Sequence, residues 1–224
     1  MGTDVRLSAM DGVFTVAGVR PARDGMTISR DAGLGSENTV TFFALGAGTS
    51  ISRERYDMTS MYIGALGEAV FLTGDDAGRQ CFLDGDMLIV PGGTLCGVES
   101  GSGAVYTEII IKKEINMNNL VKAGEVMKLK NLIQYEEGSI SNLDVVSNPT
   151  MKFVLMAFDE GTGLQPHRAP GNAIIFALEG KAVIGYEGKD YTISAGENFR
   201  FEKNGLHSVT ADGKFKMALL LVIE

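Results

Sequence analysis

The chain has 224 residues, a length that accommodates one large domain or two small ones. Hydrophobic residues make up 45% of it and charged residues 21%, so a sizeable core can form and global disorder is excluded. Its 20 Lys and Arg residues and 28 Asp and Glu residues leave a net charge of −8. Such a surface repels a phosphate backbone, so nucleic acid is not an expected partner.

The N-terminus has no basic start followed by an apolar stretch, so no signal peptide is predicted. The longest apolar run, MALLLVI at residues 217–223, is too short to cross a bilayer. The two cysteines, Cys81 and Cys96, are then expected to be reduced thiols. These features predict a cytoplasmic protein without a membrane partner.

Short runs rich in β-branched and aromatic residues follow one another along the chain. They are TVTFFAL, SMYIGAL, AVFL, DMLIVP and YTEIIIK, then KFVLMAF, AIIFALEG, AVIGYEG, KDYTISA, NFRFE and FKMALLLVIE. Turn residues separate them, and the 29 glycines suit many tight turns. The pattern predicts an all-β protein of antiparallel strands, with a hairpin at residues 182–193. One short helix is expected near residues 119–129.

The two halves of the chain repeat each other. The aligned segments are residues 41–49 with 154–162, residues 61–71 with 174–184, and residues 106–111 with 217–222. A period of about half the chain is too long for a solenoid. The repeat predicts two tandem β-domains, residues 1–115 and residues 119–224.

Each half carries the same spaced skeleton of residues. In the second half the positions are Gly161, His167, Ala169, Ala173, Gly180, Gly196, Glu202, Asn204 and His207. In the first half they are Gly48, Glu54, Tyr56, Ser60, Gly67, Gly85, Pro91, Gly93 and Cys96. This spacing resembles the two motifs of the cupin superfamily, which read Gly, His-x-His, Glu, Gly and then Gly, Pro-x-Gly, His. The chain resembles small bacterial cupin-2 conserved-barrel proteins with degenerate metal motifs. The resemblance implies a bicupin with two tandem RmlC-like barrels (double-stranded β-helix, or jelly-roll). A homodimer is expected because pairing of chains would cover an exposed apolar face or strand edge.

The resemblance assigns a role to the only two histidines, His167 and His207, as metal ligands in the second barrel. Such a site would hold a divalent transition metal, Zn, Ni, Fe or Mn. Ala169 and Ala173 occupy the other ligand positions, so the protein supplies fewer than the three ligands usual for a catalytic metal. Hydrogen bonding inside a polar pocket is the alternative interpretation of the two histidines. The first half has no histidine, and Cys96 there is interpreted as an inert buried thiol.

Four further residues are candidates for binding a ligand in the second barrel. Gln165 lies two positions before His167, so regular strand alternation would place both side chains on one face. Asn172 adjoins the motif and suits an anionic or hydroxylated ligand. Phe176 and Met217 are core positions that can also line the mouth of a pocket. No catalytic residue is assigned.

Three functions remain open on the sequence. The favoured hypothesis is a bicupin that binds a small polar molecule, with or without a metal, in the second barrel, the first barrel being structural. The alternative is a metal-dependent cupin enzyme of dioxygenase, isomerase or decarboxylase type acting in the second barrel. The third is a dimerisation module without pocket chemistry. Because one fold serves many functions, the resemblance alone does not decide whether the protein is an enzyme.

Overall fold

The computed structural model describes residues 10–223, and their regular secondary structure is almost entirely β-strand, as the sequence predicts. The first nine strands are β1 (Val13–Phe14), β2 (Thr27–Asp31), β3 (Thr39–Leu45), β4 (Thr49–Arg55), β5 (Thr59–Thr73), β6 (Gly78–Leu83), β7 (Asp86–Val90), β8 (Leu95–Ser100) and β9 (Ala104–Ile111). The second nine are β10 (Asn116–Met117), β11 (Met127–Lys128), β12 (Ile140–Asn148), β13 (Met151–Phe158), β14 (Gly163–Arg168), β15 (Asn172–Tyr186), β16 (Lys189–Ser194), β17 (Asn198–Phe201) and β18 (Leu206–Val222). One short helix, α1 (Val16–Val19), and one 3-10 turn (Leu129–Asn131) complete the elements.

The described residues divide into two compact units, each with one curled nine-stranded sheet. The first barrel contains residues 16–114 and 119–128. The second barrel contains residues 10–15, 115–118 and 129–223. Both have the jelly-roll barrel fold. Within residues 10–223 no helix is long and apolar enough to cross a membrane.

The two sheets repeat the same pairing pattern. In the first barrel, β5 pairs with β6, β7, β8 and β9, and β3 pairs with β9. In the second, β15 pairs with β16, β17 and β18, and β13 pairs with β18, a strand long enough to replace β8 and β9. The predicted hairpin is present between β15 and β16, and its turn residues Glu187 and Gly188 have φ angles of 49° and 79°. Two consecutive positive φ angles match the twist of a two-residue hairpin.

Each barrel takes one edge strand from a distant part of the chain. β1 pairs with β17 of the second barrel, so the described residues before Thr15 belong to that barrel rather than to the first. β11 pairs with β7 of the first barrel, through Met127 opposite Met87. The helix expected near residues 119–129 is therefore wrong. Gly124 has a φ of 81°, and the residues after it extend to pair with a strand edge instead.

Inward-facing aromatic and aliphatic side chains fill the cores. The first barrel's core contains Tyr62, Phe71, Phe82, Leu88 and Tyr106, with the rings of Tyr62 and Phe71 4.7 Å apart. The second barrel's core is richer in large apolar side chains, among them Met156, Phe158, Phe199, Phe201, Phe215 and Met217. Because large side chains fill the interior of the second barrel, more open space remains inside the first barrel.

Candidate functional site

The first barrel encloses a cavity of about 370 Å³. Its wall is formed by side chains from strands β3, β4, β5, β8 and β9 and from the segment that joins β4 to β5. The lining residues are Thr39, Thr41, Phe43, Ile51, Tyr56, Met58, Tyr62, Phe71, Cys96, Gly97, Val98, Tyr106, Glu108, Ile110 and Lys112. The volume lies within the range of small-molecule sites, about 300–1,000 Å³, and the mostly apolar lining is typical of them.

Glu108 is the acidic residue in this lining, and polar side chains flank it across the sheet. It lies on β9, directly opposite Thr41 on β3 and Tyr62 on β5. Burial raises the pKa of the Glu108 carboxyl, and a hydrogen bond with the Tyr62 hydroxyl offsets part of that shift. The three side chains form a polar row in a cavity whose lining is mostly apolar.

Aromatic rings form the adjacent row, deeper in the barrel. Phe43 on β3 is the register partner of Tyr106 on β9, and their rings stack with centroids 5.4 Å apart and planes 8° apart. Tyr62 and Phe71 contact Tyr106 edge-on, at 5.9 Å and 5.8 Å. At the opposite end Tyr56 and Met58 are 42% and 37% exposed, so they mark the mouth.

Cys96 lies in the same wall and matches its predicted inert character. It faces Glu54 across the β4–β8 pair. Burial raises the pKa of the Cys96 thiol to about 11, which keeps the thiol protonated near neutral pH. The exposed Glu54 accepts a hydrogen bond from the Tyr56 hydroxyl at 3.1 Å.

Apolar side chains occupy the equivalent positions of the second barrel. Val154, Leu219 and Ile175 face one another across β13, β18 and β15, in the row that corresponds to Thr41, Glu108 and Tyr62. In the next row Met156 faces Met217, and both belong to the packed core. The shallow groove of about 210 Å³ beside His207 is smaller than the cavity of the first barrel.

The structure brings His167 and His207 together. They are register partners on β14 and β18, and their ring centroids are 4.3 Å apart with planes 53° apart. His207 is buried and stacks on Phe201 at 4.1 Å, whereas His167 is exposed. The pair occupies the barrel position where Glu54 faces Cys96 in the first copy.

Backbone carbonyls orient both imidazoles in the same way. Nδ1 of His167 lies 2.8 Å from the Gln165 carbonyl oxygen, and Nδ1 of His207 lies 2.9 Å from that of Gly205. A carbonyl only accepts, so each Nδ1 carries the proton and each Nε2 keeps a lone pair. Burial, together with the neighbouring His167, lowers the pKa of His207 and favours its neutral form.

The donor set around the two histidines fits a two-imidazole site and does not fit a three-ligand catalytic centre. Ala169 and Ala173 offer only methyl groups at the other motif positions, and Ala173 is buried in the core. Within residues 10–223 no three His, Cys, Asp or Glu side chains are grouped to hold a metal ion. Any further ligands would have to be water or a bound molecule.

The four predicted ligand-binding residues do not share one surface. Met217 lies in the interior cluster, but Phe176 lies on the other face of β15, since its neighbours Ile175 and Ala177 point into that cluster. The Asn172 side chain accepts a hydrogen bond from the Lys203 backbone N–H. These residues keep their binding role only as a prediction.

The expected alternation between Gln165 and His167 is wrong. The β14–β18 pairing shifts between Leu164 and His167, where Gln165 and Pro166 lie opposite the single residue Ser208 and form a bulge. Leu164 and His167 face the inward residues Val209 and His207, while Gln165 lies inside the bulge and is exposed.

Comparison with known proteins agrees with this architecture. The sequence profile of the cupin domain family matches residues 154–223, most of the second barrel. Residues 154–223 are therefore similar to a cupin domain. No curated protein sequence matches this chain.

Solved structures reproduce the fold of nearly the whole chain. A cupin 2 conserved barrel domain protein from Leptotrichia buccalis is similar with a TM-score of 0.84 and 21% identity, covering 95% of this chain and 97% of its own. Salicylate 1,2-dioxygenase from Pseudoaminobacter salicylatoxidans, in adducts with gentisate, is similar with a TM-score of 0.68 and 12% identity, covering 94% and 80%. At these identities the likeness shows the fold alone.

The sequence prediction missed the polar row of the first barrel. A signal for it was present, because Glu108 interrupts the apolar run YTEIII where the second half of the chain has Leu219 in MALLLV. A charged residue on the inward face of a buried strand is seldom a structural choice.

Proposed function

We propose that this protein binds a small molecule in its first barrel. The observation that carries the proposal is the 370 Å³ cavity with a mostly apolar lining and one row of polar groups. Few, well-placed polar groups in an apolar pocket are typical of sites that select a ligand by orientation. Ligand binding is therefore assigned to the first barrel, which the sequence analysis interpreted as structural. The motif comparison had placed it in the second barrel.

The packing of the second barrel supports this choice. At the positions where the first barrel has Thr41, Glu108 and Tyr62, it has three aliphatic side chains that pack against its core. An interior packed with large apolar groups leaves little volume for a ligand.

The test compares two variants in a thermal-shift and calorimetric screen of small molecules. Thr41→Phe places a ring in the first cavity, and the double variant His167→Ala/His207→Ala changes only the second barrel. We expect Thr41→Phe to abolish binding of any hit and the double histidine variant to retain it. Retention in Thr41→Phe with loss in the histidine variant would return the site to the second barrel.

A second candidate function is divalent-metal binding by His167 and His207. It is supported by the adjacent rings and by the two Nε2 lone pairs that the carbonyl contacts leave available. Two imidazoles favour Zn or Ni over hard cations, with weaker affinity than a three-ligand site. Titration of metal-free protein with Zn²⁺ should give one weak site that either single variant, His167→Ala or His207→Ala, removes. An unchanged isotherm in both variants would contradict the metal assignment.

An enzymatic role in the second barrel has less support from its residues. The relative named salicylate 1,2-dioxygenase shares the fold at 12% identity. Here alanines at two motif positions provide no donor atoms, so the chain's own residues do not complete a catalytic metal centre. We therefore derive no reaction step for this protein.

A further inference from the structure

The fold does not require an acid at the position of Glu108. The second barrel has the same strands in the same register with Leu219 at this position and Val154 and Ile175 on either side. The first barrel replaces this aliphatic row by Thr41, Glu108 and Tyr62. Since the repeat folds with either row, the fold does not need the polar row for its stability. We therefore look to ligand binding for the reason that Thr41, Glu108 and Tyr62 are present.

The groups around Glu108 leave its charge without a counterion. Its electrostatic neighbours are the hydroxyls of Tyr56, Tyr62 and Tyr106 and the thiol of Cys96, all weak acids whose pKa values are raised. They stay neutral near pH 7 and contribute no positive charge. Within residues 10–223, Glu108 forms no ion pair.

The cationic side chain in the cavity lining, Lys112, donates its hydrogen bond to a backbone carbonyl and not to Glu108. Lys112 lies near the mouth, two residues after Ile110, and its Nζ donates to the Ser36 carbonyl oxygen at 3.1 Å. A half-buried carboxylate without a cation is costly, because desolvation penalises its charged form. A ligand that carries the cation would remove that cost.

Aromatic rings surround the space next to the carboxylate. Phe43, Tyr62, Phe71 and Tyr106 all line the cavity, with centroid separations between neighbours of 4.7–5.9 Å. The face of an aromatic ring attracts a cation, and its area also suits an apolar ligand body. An acid beside aromatic rings is complementary to a protonated amine on a hydrocarbon frame.

We propose that the first-barrel cavity binds a small organic amine, with its protonated nitrogen on Glu108 and its apolar body among the rings of Phe43, Tyr62 and Tyr106. This inference rests on the proposed function and names its ligand class. It predicts discrimination against aromatic carboxylates, whose charge Glu108 repels. The row of Thr41 and Tyr62 hydroxyls adds hydrogen-bond partners for the ammonium.

The experiment uses three matched probe series with the full-length protein. They are benzylamine, 2-phenylethylamine and tryptamine, each with its alcohol and its carboxylic acid counterpart. Calorimetry at neutral pH should give at least about tenfold tighter binding for one amine than for its alcohol, the usual size of a charged hydrogen bond. The corresponding carboxylate should bind more weakly than the alcohol.

Two substitutions assign that preference to Glu108. Glu108→Leu introduces the residue that the second barrel has at this position, and Glu108→Gln keeps the shape without the charge. Both should reduce the preference for amine over alcohol to within about twofold. Glu68→Gln removes an exposed carboxylate from the same barrel and should leave the preference unchanged.

The outcomes separate this inference from the proposed function. Equal affinity for amines and alcohols, or tighter binding of carboxylates, would overturn the amine assignment while cavity binding stands. An amine preference that survives both Glu108 substitutions would overturn it as well. If no probe binds, the amine assignment fails, and the broader screen of small molecules still tests cavity binding. If Thr41→Phe binds every probe as the wild type does, both the inference and the proposed function fail.

Discussion

The local environment of Glu108 disfavours the ionised form of its carboxyl. It is half-buried beside aromatic rings, and burial raises its pKa. The folded state therefore holds the Glu108 proton more tightly than the unfolded chain does. Stability falls as the pH rises from the ordinary value of 4.5 through the raised folded-state pKa, and the full cost remains at higher pH.

Replacing Glu108 by Gln should stabilise the ligand-free protein. We expect a gain of about 1 kcal/mol in the free energy of unfolding at pH 7, the usual size of stabilisation when a functional group is removed. The gain should disappear below pH 4.5, where the carboxyl is protonated in both states. Urea unfolding at pH 7 and pH 4 measures this difference. An equally large gain at both values would mean that charge is not its cause.

His207 should make the stability of the second barrel depend on pH in the opposite direction. Burial lowers its pKa from 6.5, so the unfolded chain takes up a proton before the folded state does. Stability is then fully present above pH 6.5 and falls as the pH drops from there through the lowered folded-state pKa. His207→Gln should flatten the unfolding free energy between pH 7 and pH 5. The matched change at the exposed partner, His167→Gln, should flatten it far less, and equal effects would contradict this account.

At the scale of the strand, the long strands β5 and β15 bend at corresponding glycines. Gly67 and Gly180 have φ angles of 76° and 75°. A side chain at Gly180 would place Cβ 1.9 Å from the Lys214 carbonyl oxygen, and at Gly67 2.2 Å from that of Gly103. Both copies keep glycine here because an adjacent backbone occupies the space that a Cβ would need.

Comparing alanine substitutions at Gly180 and Gly188 should separate the cost of the close backbone contact from the cost of the positive φ angle. Gly188, in the β15–β16 turn, has a φ of 79° but open space around its missing Cβ. Gly188→Ala should cost about 1 kcal/mol, the penalty for a left-handed alanine. Gly180→Ala should cost at least about 3 kcal/mol, because the backbone of β18 has to move as well. Chemical denaturation measures both, and similar costs would show that the close approach is relieved cheaply.

A β-bulge also occurs at corresponding positions of the two barrels. The β4–β8 pair shifts between Ile51 and Glu54, as the β14–β18 pair does between Leu164 and His167. The bulge turns Glu54 and His167 towards Cys96 and His207. The geometry of the motif is thus retained in both copies although the residues differ.

At the scale of the whole molecule, segments outside each repeat complete the two sheets. β1 adds to the edge of β17, where Phe14 is buried and Val13 packs against the core of the second barrel. A chain that begins at Val16 should therefore lose about 2 kcal/mol of stability in the second barrel. Hydrogen exchange should increase in residues 198–201 and stay unchanged in residues 104–111. A chain that begins at Met10 retains β1 and serves as the control; equal exchange in the two chains would contradict the role of β1.

The homodimer and the cytoplasmic location stay predictions. Light scattering after size-exclusion chromatography tests the first, since a dimer has twice the 23.9 kDa mass of the chain.

The succession of strands and the internal repeat could be predicted from the residues themselves, and the meeting of His167 with His207 from the resemblance of their spacing to the cupin motifs. Alternation of apolar residues and the placing of glycines act locally, so they are visible in the residues themselves. The helix near Gly124 was predicted wrongly because a strand edge 40 residues away recruits that segment. The place of Gln165 was predicted wrongly because a bulge depends on the partner strand as well as on its own residues.

The sequence by itself determined that this protein is all-β, that it repeats one spaced pattern twice, and that only the second copy has histidines. Only the tertiary structure decided which barrel has room for a ligand. Open volume depends on how side chains from five strands, separated by up to about 70 residues, fill a shared interior. The same packing places Glu108 beside aromatic rings, where desolvation disfavours the ionised form of its carboxyl. No local sequence pattern specifies this desolvation.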